Sequence, residues 1–170
     1  MSPYSPDILT GGLAVVFCGI NPASTAAADG HNFSNRSNRF WQVLHLSGFT
    51  DVRLRPEEER QLLAYGCGIT AVVTRATPRA GDIAAAEFRA ARPSFEQKML
   101  RYRPRAVAFL GKRAVSSMLG DPRIAFGCQS FTVADAMAWV LPNPSGLNRG
   151  YPLAALVAAY AELRAALTPP

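Results

Sequence analysis

The stretch Leu13-Ala14-Val15-Val16-Phe17-Cys18-Gly19-Ile20-Asn21-Pro22 decides how the rest of the chain is read. Its unbroken apolar run, Leu13 to Cys18, predicts a short strand buried on both faces. Gly19 closes the run, and an Asn-Pro turn leaves it. Three later runs have the same character. They are Gly68–Val73 (GITAVV), Ala106–Leu110 (AVAFL, stopped by Gly111) and Ala138–Leu141 (AWVL, closed by Pro142).

Helical patterns lie between these runs. Phe40–Leu46 places Phe40, Val43, Leu44 and Leu46 at helical spacing, and a second helix starts near Pro56. Glu57, Glu58 and Glu59 suit that helix's first turn, where the macrodipole favours carboxylates. Further helices are expected over about Pro93 to Arg103, Lys112 to Leu119 and Pro152 to Leu167. Strands alternating with helices predict an α/β domain with a mainly parallel sheet. The segments Asn21–Asn38 and Thr74–Asp82 are expected as loops. No repeat, low-complexity tract or linker divides the 170 residues, so one domain spanning residues 1–170 is expected.

Composition narrows the function classes. Apolar residues make up 49% and charged residues 18%, which excludes a disordered chain. No apolar run is long enough to span a membrane, and Met1–Thr10 has no signal-peptide pattern. Cys18, Cys67 and Cys128 are far apart, with Cys18 and Cys67 in strand-like stretches, so free buried thiols and a cytoplasmic location are expected. His31 and His45 show no ligand spacing, and neither a metal nor a cofactor is expected. Basic residues outnumber acidic ones 18 to 12, for a formal charge of +6, and the only lysines are Lys98 and Lys112. An arginine-rich excess suits an anionic partner, nucleic acid first.

In open α/β sheets the ligand crevice lies beyond the carboxyl ends of the strands. The segments leaving those ends are Gly19–Asn38, Thr74–Asp82, Gly111–Arg113 and Pro142–Gly150. Two of them open on Asn-Pro, at Asn21-Pro22 and Asn143-Pro144. Each alone is an ordinary turn initiator. Two at crevice edges of one small sheet are much less ordinary, and each asparagine supplies an amide donor and acceptor there.

Gly19-Ile20-Asn21-Pro22 and Asn143-Pro144-Ser145-Gly146 resemble the two active-site motifs of the mismatch-specific uracil-DNA glycosylases, bacterial relatives of thymine-DNA glycosylase. The resemblance extends through Asn38-Arg39-Phe40-Trp41, Gly48-Phe49-Thr50, Gly68-Ile69-Thr70 and Leu110-Gly111-Lys112. Other branches of the superfamily carry an aspartate and a histidine where this chain has Asn21 and Asn143, and Ala23 replaces a customary glycine. The resemblance implies a three-layer α/β/α sandwich with a short, mainly parallel four-stranded sheet. It also implies hydrolysis of the N-glycosidic bond of uracil in double-stranded DNA, notably in G·U mispairs, with ethenocytosine and thymine opposite guanine as further substrates.

The roles it implies fall residue by residue. Asn21 would orient the attacking water, and Gly19 and Ile20 would line the base pocket with Asn143. Phe33 would stack on the flipped base; Asn32, on its position beside Phe33 and not on the resemblance, is read as touching the base edge. Leu147 would be the wedge entering the stack, and backbone groups of Gly146 and Asn148 would face the widowed guanine. Ser145 and Arg149 would join the DNA contact. From their places in the chain, not from the resemblance, Lys112 at a helix start and Arg36, Arg39, Arg75 and Arg79 on or beside the crevice loops are read as phosphate contacts, a solvated face being the equal alternative. Asp82 is a second catalytic candidate, as a carboxylate at the crevice, with Asp29 behind it. No lysine stands in a motif position to form a Schiff base, so a monofunctional, monomeric enzyme is expected. The competing reading is a non-catalytic module that binds mismatched DNA.

Overall fold

A computed structural model describes residues 4–168. Its sheet is built from β1 (Val15–Gly19), β2 (Cys67–Ala71), β3 (Ala106–Leu110), β4 (Gly127–Val133) and β5 (Ala136–Leu141) in the order β2-β1-β3-β5-β4. The first four neighbours in that order run parallel, and β4 returns antiparallel to β5. The sheet therefore has five strands where four were expected. β4 escaped because its sequence, GCQSFTV, alternates exposed and half-buried positions at the sheet edge. An edge strand with one solvated face has no continuous apolar run to announce it. Its turn into β5 is made by Ala134 and Asp135, both at positive φ (48° and 67°). That pair performs the work usually signalled by Asn-Gly.

The helices are α1 (Ser24–Asp29), α2 (Phe40–Leu46), α3 (Ala85–Tyr102), α4 (Arg113–Leu119) and α5 (Leu153–Leu167), with 3₁₀ segments at Pro56–Tyr65 and Ala80–Asp82. Two differ from the sequence reading. α1 interrupts the expected Asn21–Asn38 loop, its three alanines closed by Gly30 at φ 78°. α3 begins eight residues before Pro93 and carries that proline inside. The strong helix formers of Ala85–Arg92 (AAEFRAAR) outweigh one missing amide.

Alternation along the strands separates two cores. Val15, Phe17, Ile69, Ala108 and Leu141 face one side, under α2 and α5. Val16, Cys18, Val107, Phe109 and Val140 face the other, under α3 and α4. Such alternation is the period-2 geometry of a strand, and it produces the three-layer sandwich. Cys18 and Cys67 are buried free thiols, while Cys128 is exposed on β4. Burial pushes the Cys67 thiol up to about 12. Among the described residues no helix is long and apolar enough to cross a membrane.

The outer edge of β2 is closed by the chain's first segment, where Ile8 and Ile69 exchange two backbone hydrogen bonds of 2.9 and 3.0 Å. Gly68 makes this approach possible, because a Cβ there would lie 2.6 Å from the Ile8 carbonyl oxygen and 2.7 Å from Leu13 Cδ1. Gly68→Ala is therefore expected to destabilise the fold by about 1–3 kcal/mol, the usual cost of overpacking. Urea unfolding measures it; an unchanged midpoint would show that the edge segment moves away freely.

Candidate active site

A cavity of about 550 Å³ opens at the carboxyl ends of β1, β2, β3 and β5, within the ~300–1,000 Å³ usual for small-ligand sites. Three of the four strand-exit segments line it. The fourth, Gly111–Arg113, does not, although its neighbour Leu110 does. Six asparagines reach the wall: Asn21, Asn32, Asn35, Asn38, Asn143 and Asn148. Among the described residues the lining holds no aspartate, glutamate, histidine or cysteine, and its only charged residue is Arg79.

Asn21 sits where β1 ends. The carbonyls of Gly19 and Ile20 accept hydrogen bonds from Val72 and Val73 N–H at 3.1 and 3.0 Å, tying this exit to that of β2. One turn later the backbone pairs again. Ser24 N–H donates to the Thr77 carbonyl at 2.9 Å, and Thr77 N–H donates to the Pro22 carbonyl at 3.2 Å. Between these two ties, Asn21 Nδ2 donates to the Arg75 carbonyl at 2.9 Å and to Thr77 Oγ1 at 2.8 Å. Thr77 Oγ1 spends its own proton on the Arg79 carbonyl at 2.6 Å. A carbonyl only accepts, so the nitrogen of Asn21 must face Arg75. Its Oδ1 is left as the acceptor that the side chain offers to the cavity.

Asn143 has the opposite sense. Its Oδ1 accepts from Ser145 N–H at 2.9 Å. A backbone N–H only donates, so Asn143 offers the cavity its Nδ2. The two motif amides thus share one cavity, one as acceptor and one as donor.

Phe33 lines the cavity and packs on Phe40, with ring centroids 4.2 Å apart. It serves packing with one part of its surface and the cavity with another. Its φ of 53° is rare for a side chain of this size, and such strain gathers where neighbouring structure over-determines a residue. Asn32 is held by the buried carboxylate of Glu59, and Glu59 also binds His31 Nδ1 at 3.0 Å.

The Pro142–Gly150 segment is a clamped loop with an apolar tip. Leu147 is 85% exposed. Arg39 holds the loop's base through four carbonyls: Nη1 on Tyr151 at 2.5 Å, Nη2 on Ser145 and Asn148 at 2.9 and 3.2 Å, and Nε on Pro144 at 3.3 Å. Gly146 lies against Ser37 so closely that a Cβ would meet the Ser37 carbonyl oxygen at 2.6 Å. Ser145 Oγ accepts from Leu147 N–H at 3.2 Å, and Asn148 Nδ2 donates to the Asn143 carbonyl at 2.9 Å.

Several expectations are corrected by this geometry. Asp82 is exposed, lies outside the cavity wall and accepts from Arg79 N–H at 3.1 Å, so it caps a 3₁₀ turn. Asp29 is exposed at the end of α1, also outside the wall. Arg39 is spent on the loop carbonyls and is not available to phosphate. Arg75 is paired through two nitrogens with Glu87 at 2.7 and 2.9 Å, which holds the Glu87 carboxyl below its ordinary value. Backbone groups of Asn148 are also taken, N–H by the Ser145 carbonyl and C=O by Arg39. Arg36 and Arg149 are exposed. Lys112 is exposed outside the wall, its ammonium 4.4 Å from the Phe126 ring centroid.

Sequence reasoning missed the positioning residues: Thr77, Glu59, and Arg113, whose guanidinium binds the Ala80 and Ile83 carbonyls and steadies the β2 exit loop. No local signal marks them, since each acts on a partner far along the chain. The clamp is open to test. Arg39→Ala should cost about 2–3 kcal/mol, the scale of hydrogen bonds to a charged group, and should speed amide exchange across residues 143–151. Unchanged exchange there would show that the loop is held by other means.

The chain's similarity to known proteins agrees with the geometry. The family model described as Uracil DNA glycosylase superfamily matches residues 6–164, spanning both Asn-Pro turns and every strand. A sheet with two oriented amides at its carboxyl rim and a match over nearly its whole length lead to one statement: the chain belongs to the uracil DNA glycosylase superfamily, whose members are DNA glycosylases.

Proposed function

We propose that this protein flips uracil out of double-stranded DNA, G·U mispairs foremost, and hydrolyses its N-glycosidic bond with a water held by Asn21. The observation that carries the reading is the orientation of the Asn21 amide, whose nitrogen is fixed on Arg75 and Thr77. Its Oδ1 can then accept a hydrogen bond from a water poised below C1′ of an extruded nucleotide.

An amide oxygen has no basicity at neutral pH, and among the described residues no carboxylate or imidazole lines the cavity. The water is therefore oriented without being deprotonated beforehand. In that setting the C1′–N1 bond breaks first, its electron pair leaving with N1 of uracil while the sugar takes on oxocarbenium character. Water then adds to C1′, and the proton it loses as the new C–O bond forms passes to the departed uracil anion, directly or through solvent, so that neutral uracil is released. Backbone N–H groups of Ile20 and Asn21, beside the leaving base, can stabilise the uracil anion, and preorganised donors of this kind are a large term in catalysis. Asn143 Nδ2 supplies a further donor to the base. Phe33 supplies a face for stacking.

Extrusion costs a few kcal/mol, least at a weak pair such as G·U. Leu147 is placed to fill the vacated stack as an apolar wedge, as in other duplex-distorting proteins. Its exposure without packing partners gives it no evident structural duty, and the clamp beneath it gives the tip a firm base. Arg149, Arg36, Arg79 and Lys112 are proposed phosphate contacts at the rim. Ethenocytosine and thymine opposite guanine are proposed as secondary substrates.

Three measurements check this reading. Single-turnover assays on G·U, A·U, G·T and single-stranded uracil oligonucleotides should show fastest release from G·U. Release should stay level between about pH 6 and 9, because no cavity group titrates in the range of histidine or a free thiol. A bell-shaped profile would reveal a general base that the cavity does not contain. Leu147→Ala should leave stability within about 0.5 kcal/mol yet slow release from duplex more than from single strands. Equal slowing of both would remove the wedge role.

A further inference from the structure

The cavity contains a third oriented amide, at Asn32, and its surroundings are unlike those of any other lining residue. Asn32 is only 5% exposed, yet it lies on the cavity wall. Three of its four polar groups are consumed internally. Its backbone N–H donates to Glu59 Oε2 at 3.1 Å, and its carbonyl accepts from Trp41 Nε1 at 3.1 Å. Its Nδ2 donates to Glu59 Oε1 at 3.0 Å and to the Pro6 carbonyl at 2.9 Å, which uses both amide protons. Both partners of Nδ2 are acceptors only, since Glu59 as a carboxylate has nothing to donate. The amide cannot turn over without setting its oxygen against a carboxylate. No described residue donates to Oδ1, and that oxygen is not among the buried polar atoms left without a partner.

Resting on the uracil-excision reading above, we infer that Asn32 is a specificity-determining residue of this cavity, whose Oδ1 accepts the N3–H imide proton of the flipped pyrimidine. The base edge and the amide are complementary. Uracil presents a donor at N3, flanked by two carbonyl acceptors. Cytosine presents a lone pair at the same place, which would face Oδ1 across the cavity and repel it. A site that can only accept therefore rejects the normal base by an unpaired, buried polar contact, the most selective kind of discrimination. Asn32 precedes Phe33 in the chain, so the edge reader and the stacking ring are set on one short segment. Glu59, from the 3₁₀ helix Pro56–Tyr65, keeps the amide in that sense.

The test uses wild-type protein first. Single-turnover release is compared for uracil and N3-methyluracil, each opposite guanine in one duplex sequence. Methylation removes the N3–H donor and weakens the mispair, so ease of flipping alone would speed release. The inference expects release to fall at least ~100-fold, a floor below the ~10⁴–10⁵ by which a site built to hydrogen-bond a substrate N–H can reject an analogue lacking it. Equal rates would overturn it with no variant needed. Asn32→Leu, which keeps the side chain's bulk but removes Oδ1, separates the contact from simple crowding, with 3,N4-ethenocytosine, which has no N3–H, as the reference. The variant's uracil-to-ethenocytosine rate ratio should drop about tenfold or more, and its penalty for N3 methylation should shrink. A parallel loss on uracil and ethenocytosine would mean Asn32 only supports the fold, and the inference would fail. Absence of uracil release by wild-type protein from any duplex would instead defeat the excision reading, and this inference with it.

Discussion

A side-chain amide has a donor end and an acceptor end, and whatever binds one end decides what the other shows. This protein's cavity depends on that constraint. Asn21 meets a backbone carbonyl, Asn32 a carbonyl and a carboxylate, and Asn143 a backbone N–H. Each partner has one hydrogen-bonding role, so each amide has one orientation. On the proposed reading the cavity carries a fixed pattern of acceptor, acceptor and donor, with no aspartate, glutamate or histidine among the described lining residues. Such a surface costs no reorganisation when charge develops in the substrate, which is the essence of electrostatic preorganisation.

The fold supplies those partners by tying strand exits together. The β1 and β2 exits are joined by the Val72 and Val73 amides and again by the paired backbones of Pro22–Ser24 and Thr77. Arg39 does the same for the β5 exit, gathering four carbonyls that would otherwise point into a loop with little core of its own. Its guanidinium suits the task, since planar donors in a rigid fork can serve several acceptors at once. The chain thus spends a cation on architecture that composition alone would assign to DNA. The same is true of Arg75 and Arg113. Net charge therefore overstates the surface left for an anionic partner; of the proposed phosphate contacts, Arg36, Arg79, Arg149 and Lys112 are exposed.

Much of this was legible in the residues. The continuous runs at Leu13–Cys18 and Ala106–Leu110 announce buried parallel strands, and the paired Asn-Pro turns mark the rim where ligands gather. β4 was not legible, because an edge strand with polar alternate residues lacks the periodic contrast of a buried one. Nor was the true start of α3, since Pro93 mimics a helix beginning while alanines upstream continue the helix. Asp82 drew attention as an acid near the crevice, and its preference for a nearby backbone N–H is a local choice that spacing does not reveal. Glu59 looked like a solvated first-turn acid, yet it is 6% exposed and orients Asn32 from another element. Long-range partners of this kind become visible only in three dimensions.

On the proposed reading, base release depends on Asn21 as the holder of the attacking water. Its most direct test pairs two readings on one variant, Asn21→Ala: single-turnover uracil release from a G·U duplex, and affinity for the same duplex. The geometry predicts release slower by about 100-fold or more, the scale of a lost positioning contact, with affinity for the mispair retained. Release at the wild-type rate, or a loss that merely follows weakened binding, would contradict it.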